Sequence, residues 1–350
     1  DPSIADPTAH FSTNLWVADD ASPRTFTGFG HQPDFVWVKH RGSASVNHTL
    51  VDTIRGGEEM LASNTTAAED PGAHGKITSW NADGITVADG TSATYPKLYF
   101  NDLDPFGSGG GNYVGWSWKA GGTASSNTDG TIPSSVSANT DAGFSIVSYT
   151  GVGPGSAANE ETAGHGLSET PEVVIVKKRS ASGSWFVFTT VIDGSNDYLY
   201  LDTTAAKGDS GNTVPSSTVF NFGGALNTSS ATYIAYCFHS VEGYSKVGSY
   251  TGNGNADGPM IFAGFRPAFF MVKNASTLGT DWRLYDDKRP AYNPVNLILY
   301  PDTSGVESST SHPMDFVSNG IKNRGTFSEV NTSGDTYIYL AFAESPFKTS

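Results

Sequence analysis

Short runs of β-branched and aromatic residues alternate along the chain with clusters of Gly, Ser, Thr, Asn and Asp. The apolar runs recur at roughly 8–12-residue intervals, the signature of strands joined by tight turns in a sandwich or jelly roll. Apolar positions at helical spacing are nearly absent. The pattern predicts an all-β fold.

Three of the runs repeat one another. Gly28-Phe-Gly-His-Gln-Pro33-Asp-Phe-Val-Trp-Val-Lys39, Gly164-His-Gly-Leu-Ser-Glu-Thr-Pro171-Glu-Val-Val-Ile-Val-Lys177 and Gly264-Phe-Arg-Pro267-Ala-Phe-Phe-Met-Val-Lys273 share a glycine turn, a proline, an apolar quartet and a lysine. Proline opens an extended segment without a ladder donor, the quartet is a core strand, and the lysine is expected to mark the return to water. A second aromatic strand closes each copy: Asn112–Trp118, Thr232–Phe238 and Thr336–Phe342. Tyr149-Thr-Gly and Tyr250-Thr-Gly, at the openings of the later copies, match Phe26-Thr-Gly in the first. Between these strands, His48-Thr-Leu-Val-Asp52 with Arg55 corresponds to Trp282-Arg-Leu-Tyr-Asp286 with Arg289; the second copy keeps Trp185, loses the arginine and offers only the later Asp193.

Such repetition predicts three tandem β-sandwich units of jelly-roll or lectin-like type, at residues 1–121, 144–243 and 244–350. The Gly/Ser/Asn-rich residues 122–143 read as a linker. No spacer separates the second and third units, so those two are expected to dock tightly, and tandem sandwiches are favoured over a closed three-bladed arrangement.

Charge and cysteine content narrow the function. A net charge of −15 repels polyphosphate and anionic membrane, so nucleic acid is not expected as a partner. No apolar run reaches the ~20 residues of a membrane-crossing helix, so membrane insertion is not expected either. Cys237 is the one cysteine and reads as a small buried hydrophobe. The first residue, Asp1, fits a processed piece of something longer.

Candidate chemistry is sparse. Neither a Gly-x-Ser-x-Gly elbow nor a metal-type His/Cys cluster occurs, and the acidic pairs Glu58-Glu59, Glu69-Asp70 and Glu160-Glu161 sit in polar stretches where neighbours point apart into solvent. No enzymatic activity and no obligatory cofactor are expected. Asp52/Arg55 and Asp286/Arg289, flanked by Trp282 or Trp37, have the chemistry of a saccharide subsite, although a salt bridge pinning a loop to a sheet edge is the favoured reading of them. Trp16 and Trp80 are the least constrained tryptophans and read as exposed stacking surfaces. Asn81-Ala-Asp-Gly84, Asn127-Thr-Asp-Gly130 and Asn253-Gly-Asn-Ala-Asp-Gly258 offer oxygen ligands for Ca2+, but Asn/Asp-Gly is first a turn signal.

The proline-to-lysine blocks, together with Ala235-Tyr-Cys-Phe-His-Ser-Val-Glu-Gly-Tyr-Ser-Lys246, Gly248-Ser-Tyr-Thr-Gly-Asn-Gly254 and Ala341-Phe-Ala-Glu-Ser-Pro-Phe347, resemble a family of uncharacterised repeat domains in virion proteins of tailed phages from marine and other aquatic bacteria. Its members often stand at the C-terminal end of tail-fibre-like proteins. The resemblance runs from about His10 onward and implies a virion-surface or extracellular location with an adhesive or structural role. The implied partners are a host-surface glycan, other virion or filament subunits, and copies of the chain in a homo-oligomer. It carries over no active site. The purely structural alternative is a decoration or filament subunit making only protein contacts.

Overall fold

The computed structural model describes residues 4–107, 110–153, 160–290 and 292–343; the last four residues of the Ala341–Phe347 string lie outside them. Nearly every regular element is a strand, in antiparallel sheets. Three units are present, each with an inner and an outer sheet.

Unit 1 contains β1 (Phe11–Val17), β2 (Arg24–Thr27), β3 (Phe35–His40), β4 (Thr49–Asp52), β5 (Lys76–Asn81), β6 (Gly84–Ala88) and β7 (Asn112–Trp118). Unit 2 begins with β8 (Ser125–Asn127), β9 (Ser134–Asn139), β10 (Phe144–Thr150), β11 (Glu161–Gly164) and β12 (Val173–Lys178). It continues with β13 (Phe186–Thr189), β14 (Asp197–Tyr200), β15 (Gly208–Asp209), β16 (Val219–Phe222) and β17 (Thr232–Phe238). Unit 3 holds β18 (Ser245–Thr251), β19 (Met260–Phe262), β20 (Pro267–Asn274) and β21 (Arg283–Asp286), then β22 (Val295–Ile298), β23 (Ser308–Val317), β24 (Gly320–Asn323) and β25 (Thr336–Ala343).

The inner sheets share one order. Unit 1 runs β1-β7-β3-β4, unit 3 runs β18-β25-β20-β21, and the eight-stranded sheet of unit 2 has β10-β17-β12-β13 at its centre. Register repeats as well: Phe35 stands opposite Trp118, Val173 opposite Phe238 and Phe269 opposite Phe342. The outer sheets, β2-β6-β5, β11-β16 and β19-β24-β23-β22, back them.

Each quartet is apolar throughout because both faces of its strand are covered. Val36 and Val38 face the core inside unit 1, with Phe26, Ile85 and Tyr113, whereas Phe35 and Trp37 point the other way. There they join Ile175 and Tyr236 of unit 2 and Phe269, Met271 and Leu340 of unit 3 in a single central core. Phe35 stacks on Tyr236 at 4.3 Å, Phe11 on Phe342 at 5.0 Å, and Phe238 meets Phe342 edge-on at 6.0 Å. The three units therefore close into a ring about a shared centre, not a string of independent sandwiches.

Residues 122–143, expected as a linker, contain β8 and β9, which extend the inner sheet of unit 2 through β10. Alternation in Ser134–Asn139 places Val136 in a core even though its neighbours are polar. The opening motifs also shift. Tyr149 and Tyr250 lie in β10 and β18, whose unit 1 counterpart is β1, so Trp16 takes their place and Phe26 belongs to an outer strand.

The lysine after each quartet does not return to water. Lys39, Lys177 and Lys273 are all buried, because loops fold over the strand ends and offer carbonyl oxygens. Lys39 Nζ donates to the carbonyls of His40, Ser43 and Val46 at 2.8, 3.2 and 2.8 Å. Lys177 Nζ reaches the carbonyls of Thr66, in unit 1, and Gly183, and Lys273 Nζ reaches that of Thr280.

A shared core makes the units thermodynamically inseparable. Calorimetry is expected to show one cooperative transition with equal calorimetric and van't Hoff enthalpies. Resolved transitions for separate units would contradict the ring.

Candidate functional site

The Asp/Arg motifs lie where units meet. β4 and β21 each end in an aspartate whose carboxylate caps the following turn. Asp52 Oδ1 accepts the amides of Ile54 and Arg55 at 3.0 and 2.9 Å, and Asp286 Oδ1 accepts those of Lys288 and Arg289 at 3.1 and 2.9 Å. The second oxygen pairs with the arginine Nε, at 2.5 Å in one case and 2.6 Å in the other, and all four side chains are fully buried. Each guanidinium also donates to a carbonyl of its own strand, Leu50 or Leu284.

The next unit completes each pair. Tyr236 Oη donates to Asp52 Oδ2 at 2.9 Å, and Trp116 Nε1 donates to Asp286 Oδ2 at 3.1 Å. Glu69 joins Arg55 at 3.3 Å to Arg179 of unit 2 at 2.7 Å; Glu307 joins Arg289 at 3.3 Å to Arg41 of unit 1 at 2.7 Å. Burial alone would lower the Arg55 pKa, but Asp52, Tyr236 and Glu69 outweigh it and the net shift is upward.

The remaining seam shows why the second copy lacks the motif. Thr189 holds the register of Asp52 and Asp286, and Leu340 that of Tyr236 and Trp116. Ile192, three residues after Thr189 as Arg55 is after Asp52, packs on the central core. A leucine offers no hydrogen bond to a buried carboxylate, so this seam is apolar. The three seams nevertheless share one backbone contact, Glu69 N to Arg179 O, Lys207 N to Ala275 O and Glu307 N to Arg41 O. Lys207 turns its side chain back to Asp193 and Asp197 of its own unit.

Tryptophans latch the same seams. Trp185 Nε1 donates to Ala62 O and Trp282 Nε1 to Tyr200 O, both at 2.8 Å and both from one unit to the preceding one. His48 occupies the equivalent place in unit 1 and faces the Tyr300 carbonyl; burial, reinforced by Lys39, holds its pKa well below the ordinary value.

These positions correct the saccharide reading. Asp52, Arg55, Trp282, Asp286 and Arg289 are buried between units, where no sugar reaches them. Trp16 is buried too, its ring parallel to Tyr113 at 5.8 Å and its Nε1 donating to Phe100 O at 2.8 Å. Trp80 is half-buried at the edge of the unit 1 core. Glu69, expected to face solvent, is instead the bridge between two arginines.

The calcium candidates are turns with partners of their own. Ala82 and Asp83 form the β5–β6 hairpin turn, and Asp83 accepts the amides of Gly28 and Gly30. Asn127 donates to Asp129, and Asp257 pairs with Lys322 at 2.7 Å. Among the described residues no three His, Cys, Asp or Glu side chains converge on a metal-sized point.

An open groove of about 740 Å³ lies between units 1 and 2, lined by His10, Gln32 and Lys119 on one side and Asn139, Thr140 and Asp141 on the other. Its histidines are neutral near pH 7. Burial drives His31 down to about 4, and it bonds Thr8 O and Ser117 Oγ; burial, then Lys119, lowers His10, which lies 3.0 Å from Asn139 Nδ2. The groove thus offers neutral hydrogen-bonding groups with Lys119 and Asp141 on its two sides and the buried carboxyl of Asp34, which accepts the amides of Ala120 and Gly122, in its wall. Nothing in the sequence marks it, because its residues come from five separated segments and two units.

A model of one domain family matches residues 6–346, spanning all three units. No curated protein matches the chain. No solved structure matches it either.

Proposed function

The chain belongs to the family described as Domain of unknown function (DUF7483), and within it we propose that this protein is a non-enzymatic binding protein of a virion or other extracellular surface, whose groove between units 1 and 2 takes a hydroxyl-rich ligand such as a host-surface glycan. The observation that carries this reading is the groove: an open concavity on a locked scaffold, edged by the hydrogen-bonding groups of Gln32, Lys119, Asn139 and Asp141. Sugars are recognised by such neutral and singly charged partners, and a preorganised site orders few side chains on binding. The virion setting is supported by the phage-protein resemblance.

A glycan array probed with the intact protein tests the reading. Some glycans are expected to bind, and Lys119→Ala and Asp141→Ala, both outside the cores, are each expected to weaken binding about tenfold, the loss of one charge-assisted hydrogen bond. An array without a binder, or a binder indifferent to both substitutions, refutes it. The structural alternative, a subunit that contacts only proteins, is favoured by one separate feature, the uncovered flank of unit 1.

A further inference from the structure

The three-fold repetition of the inner sheets has one asymmetry. In unit 2, residues 121–139 close the flank between the inner and outer sheets. β9 runs antiparallel to β10, with Asn139 opposite Phe144, Ser137 opposite Ile146 and Ser135 opposite Ser148. The chain just before it crosses to the outer sheet: Ile132 N donates to Thr162 O at 2.9 Å and Ser134 Oγ to Gly164 O at 2.9 Å. Val136 and Ala138 press on the Gly166 turn so closely that a Cβ there would meet Val136 Cγ1 at 2.8 Å.

Units 1 and 3 have the same flank without the segment: among the described residues β18 pairs with β25 alone, and it is beside the flank of unit 1 that a groove lies. Among the described residues β1 pairs with β7 alone. The bonds Lys119 N to His10 O and Ala18 N to Gly111 O fix the even-numbered β1 residues as those bonded to β7. By alternation the amides and carbonyls of Phe11, Thr13 and Leu15 and the amide of Val17 point outward, as those of Phe144, Ile146 and Ser148 point to β9, while the Val17 carbonyl accepts from Arg24 Nη1 at 2.7 Å. Beside this edge lies a groove of about 410 Å³, lined by Phe11, Ser12 and Thr13, by the turn Gly28 to Gly30, and by Lys288 of unit 3. Gly28 has open space where a Cβ would stand, and the buried hydroxyl of Thr13 has no partner among the described residues. Leu15 and Val17 are 42 % and 59 % exposed.

We propose that the flank of unit 1 is a strand-acceptor site, which binds an extended segment of another protein antiparallel to β1 in the way that β9 lies on β10. The occupant is a peptide of small residues alternating polar and apolar, as in Ser134–Asn139: its backbone groups complete the edge ladder and its small side chains enter the groove beside the glycine turn, as Val136 and Ala138 meet Gly166. Unpaired edges are templates for strand addition, and main-chain bonds supply the affinity while alternate side chains supply specificity.

The test adds a synthetic peptide of residues 131–139 to the intact protein and follows amide hydrogen exchange by mass spectrometry. The peptide is expected to slow exchange in residues 11–17 about tenfold at saturation, with β10 unchanged. The same peptide with proline at the positions of Ser135 and Ser137, which lacks the ladder donors, is expected to leave exchange unaltered. Thr13→Pro removes the matching outward amide of the protein and is expected to abolish the effect while the melting temperature shows the fold intact; should that variant fail to fold, the proline-bearing peptide makes the same discrimination on unaltered protein. Absence of protection at millimolar peptide overturns the proposal, as does protection that appears on β10 or that the proline peptide reproduces.

Discussion

Replacing Arg55 with isoleucine is expected to lower the folding free energy by about 3–5 kcal/mol, the usual cost of leaving one member of a buried ion pair alone. Asp52 would keep its turn amides and the Tyr236 hydroxyl but would hold a full charge without its counter-ion, at a point where its own side chain and Tyr236 are inaccessible to water. Glu69 would retain Arg179 at 2.7 Å and so contribute little further loss. The apolar seam supplies the rescue. Combining Arg55→Ile with Asp52→Thr and Tyr236→Leu installs the residues found at Ile192, Thr189 and Leu340, and the triple variant is expected to recover most of the loss, because a well-packed apolar substitute for a buried pair is often neutral or better. Guanidinium unfolding of the two variants against the parent measures both quantities. A single variant within about 1 kcal/mol of the parent would mean that water enters the seam, and a triple variant no better than the single one would mean that the seams are not interchangeable.

That interchangeability explains what the amino-acid pattern disclosed and what it hid. The quartets following Pro33, Pro171 and Pro267 and the closing strands were legible because their periodicity is local and their residues fit a pleated, two-sided core. Closure into a ring was not, since it depends on which face of Phe35, Tyr236 and Phe269 meets which neighbour, and an apolar run buried on both faces looks the same in a tandem sandwich. The failed Asp/Arg motif of the second copy held the clue: the difference correlates with Leu340 standing where the other units have Tyr236 and Trp116, a correspondence visible only once the register is known. Lys39, Lys177 and Lys273 misled for a related reason. A lysine at a strand end is ordinarily a solvent marker, and the carbonyls that bury these three come from loops, in one case from another unit, that leave no sequence signature. The polar groove and the uncovered flank of β1 lie further still from the sequence, being properties of how units are placed and of a hairpin that only one of them has.

The buried lysines give the second large effect, a stability that climbs on the alkaline side of neutrality. Burial lowers Lys39 to about 7, and lowers Lys177 and Lys273 to about 8, Asp202 and Asp302 respectively opposing it in part. A lysine that titrates lower when folded than its ordinary 10.5 binds fewer protons folded than unfolded between those values. Stability therefore rises with pH across that window and is lost as pH falls through it, by up to about 1.4 kcal/mol per pH unit for each lysine. Other groups bound the readable range. Burial pushes Cys237 up to about 12 and raises Tyr149, Tyr236 and Tyr250 well above their ordinary value, so that thiol and phenols favour the unfolded chain from about pH 9 upward. Between pH 8 and 9 the lysines dominate. Urea unfolding at half-unit steps in that interval is expected to show stability increasing for the parent, and a flatter line for Lys177→Met with Lys273→Met, since the titrating groups are gone although their carbonyls are left unpaired. Lys39 combines the two forces at work. Its Nζ faces three carbonyl acceptors, which an ammonium satisfies together and a neutral amine does not, so Lys39→Met is expected to cause the largest single loss of the three and, because Lys39 titrates lowest, to flatten the pH slope at least as much as either other substitution. Equal slopes for the parent and the double variant would show that carbonyls hold the Lys177 and Lys273 ammonium groups charged, and would make this ring a scaffold that buries those two cations at neutral pH.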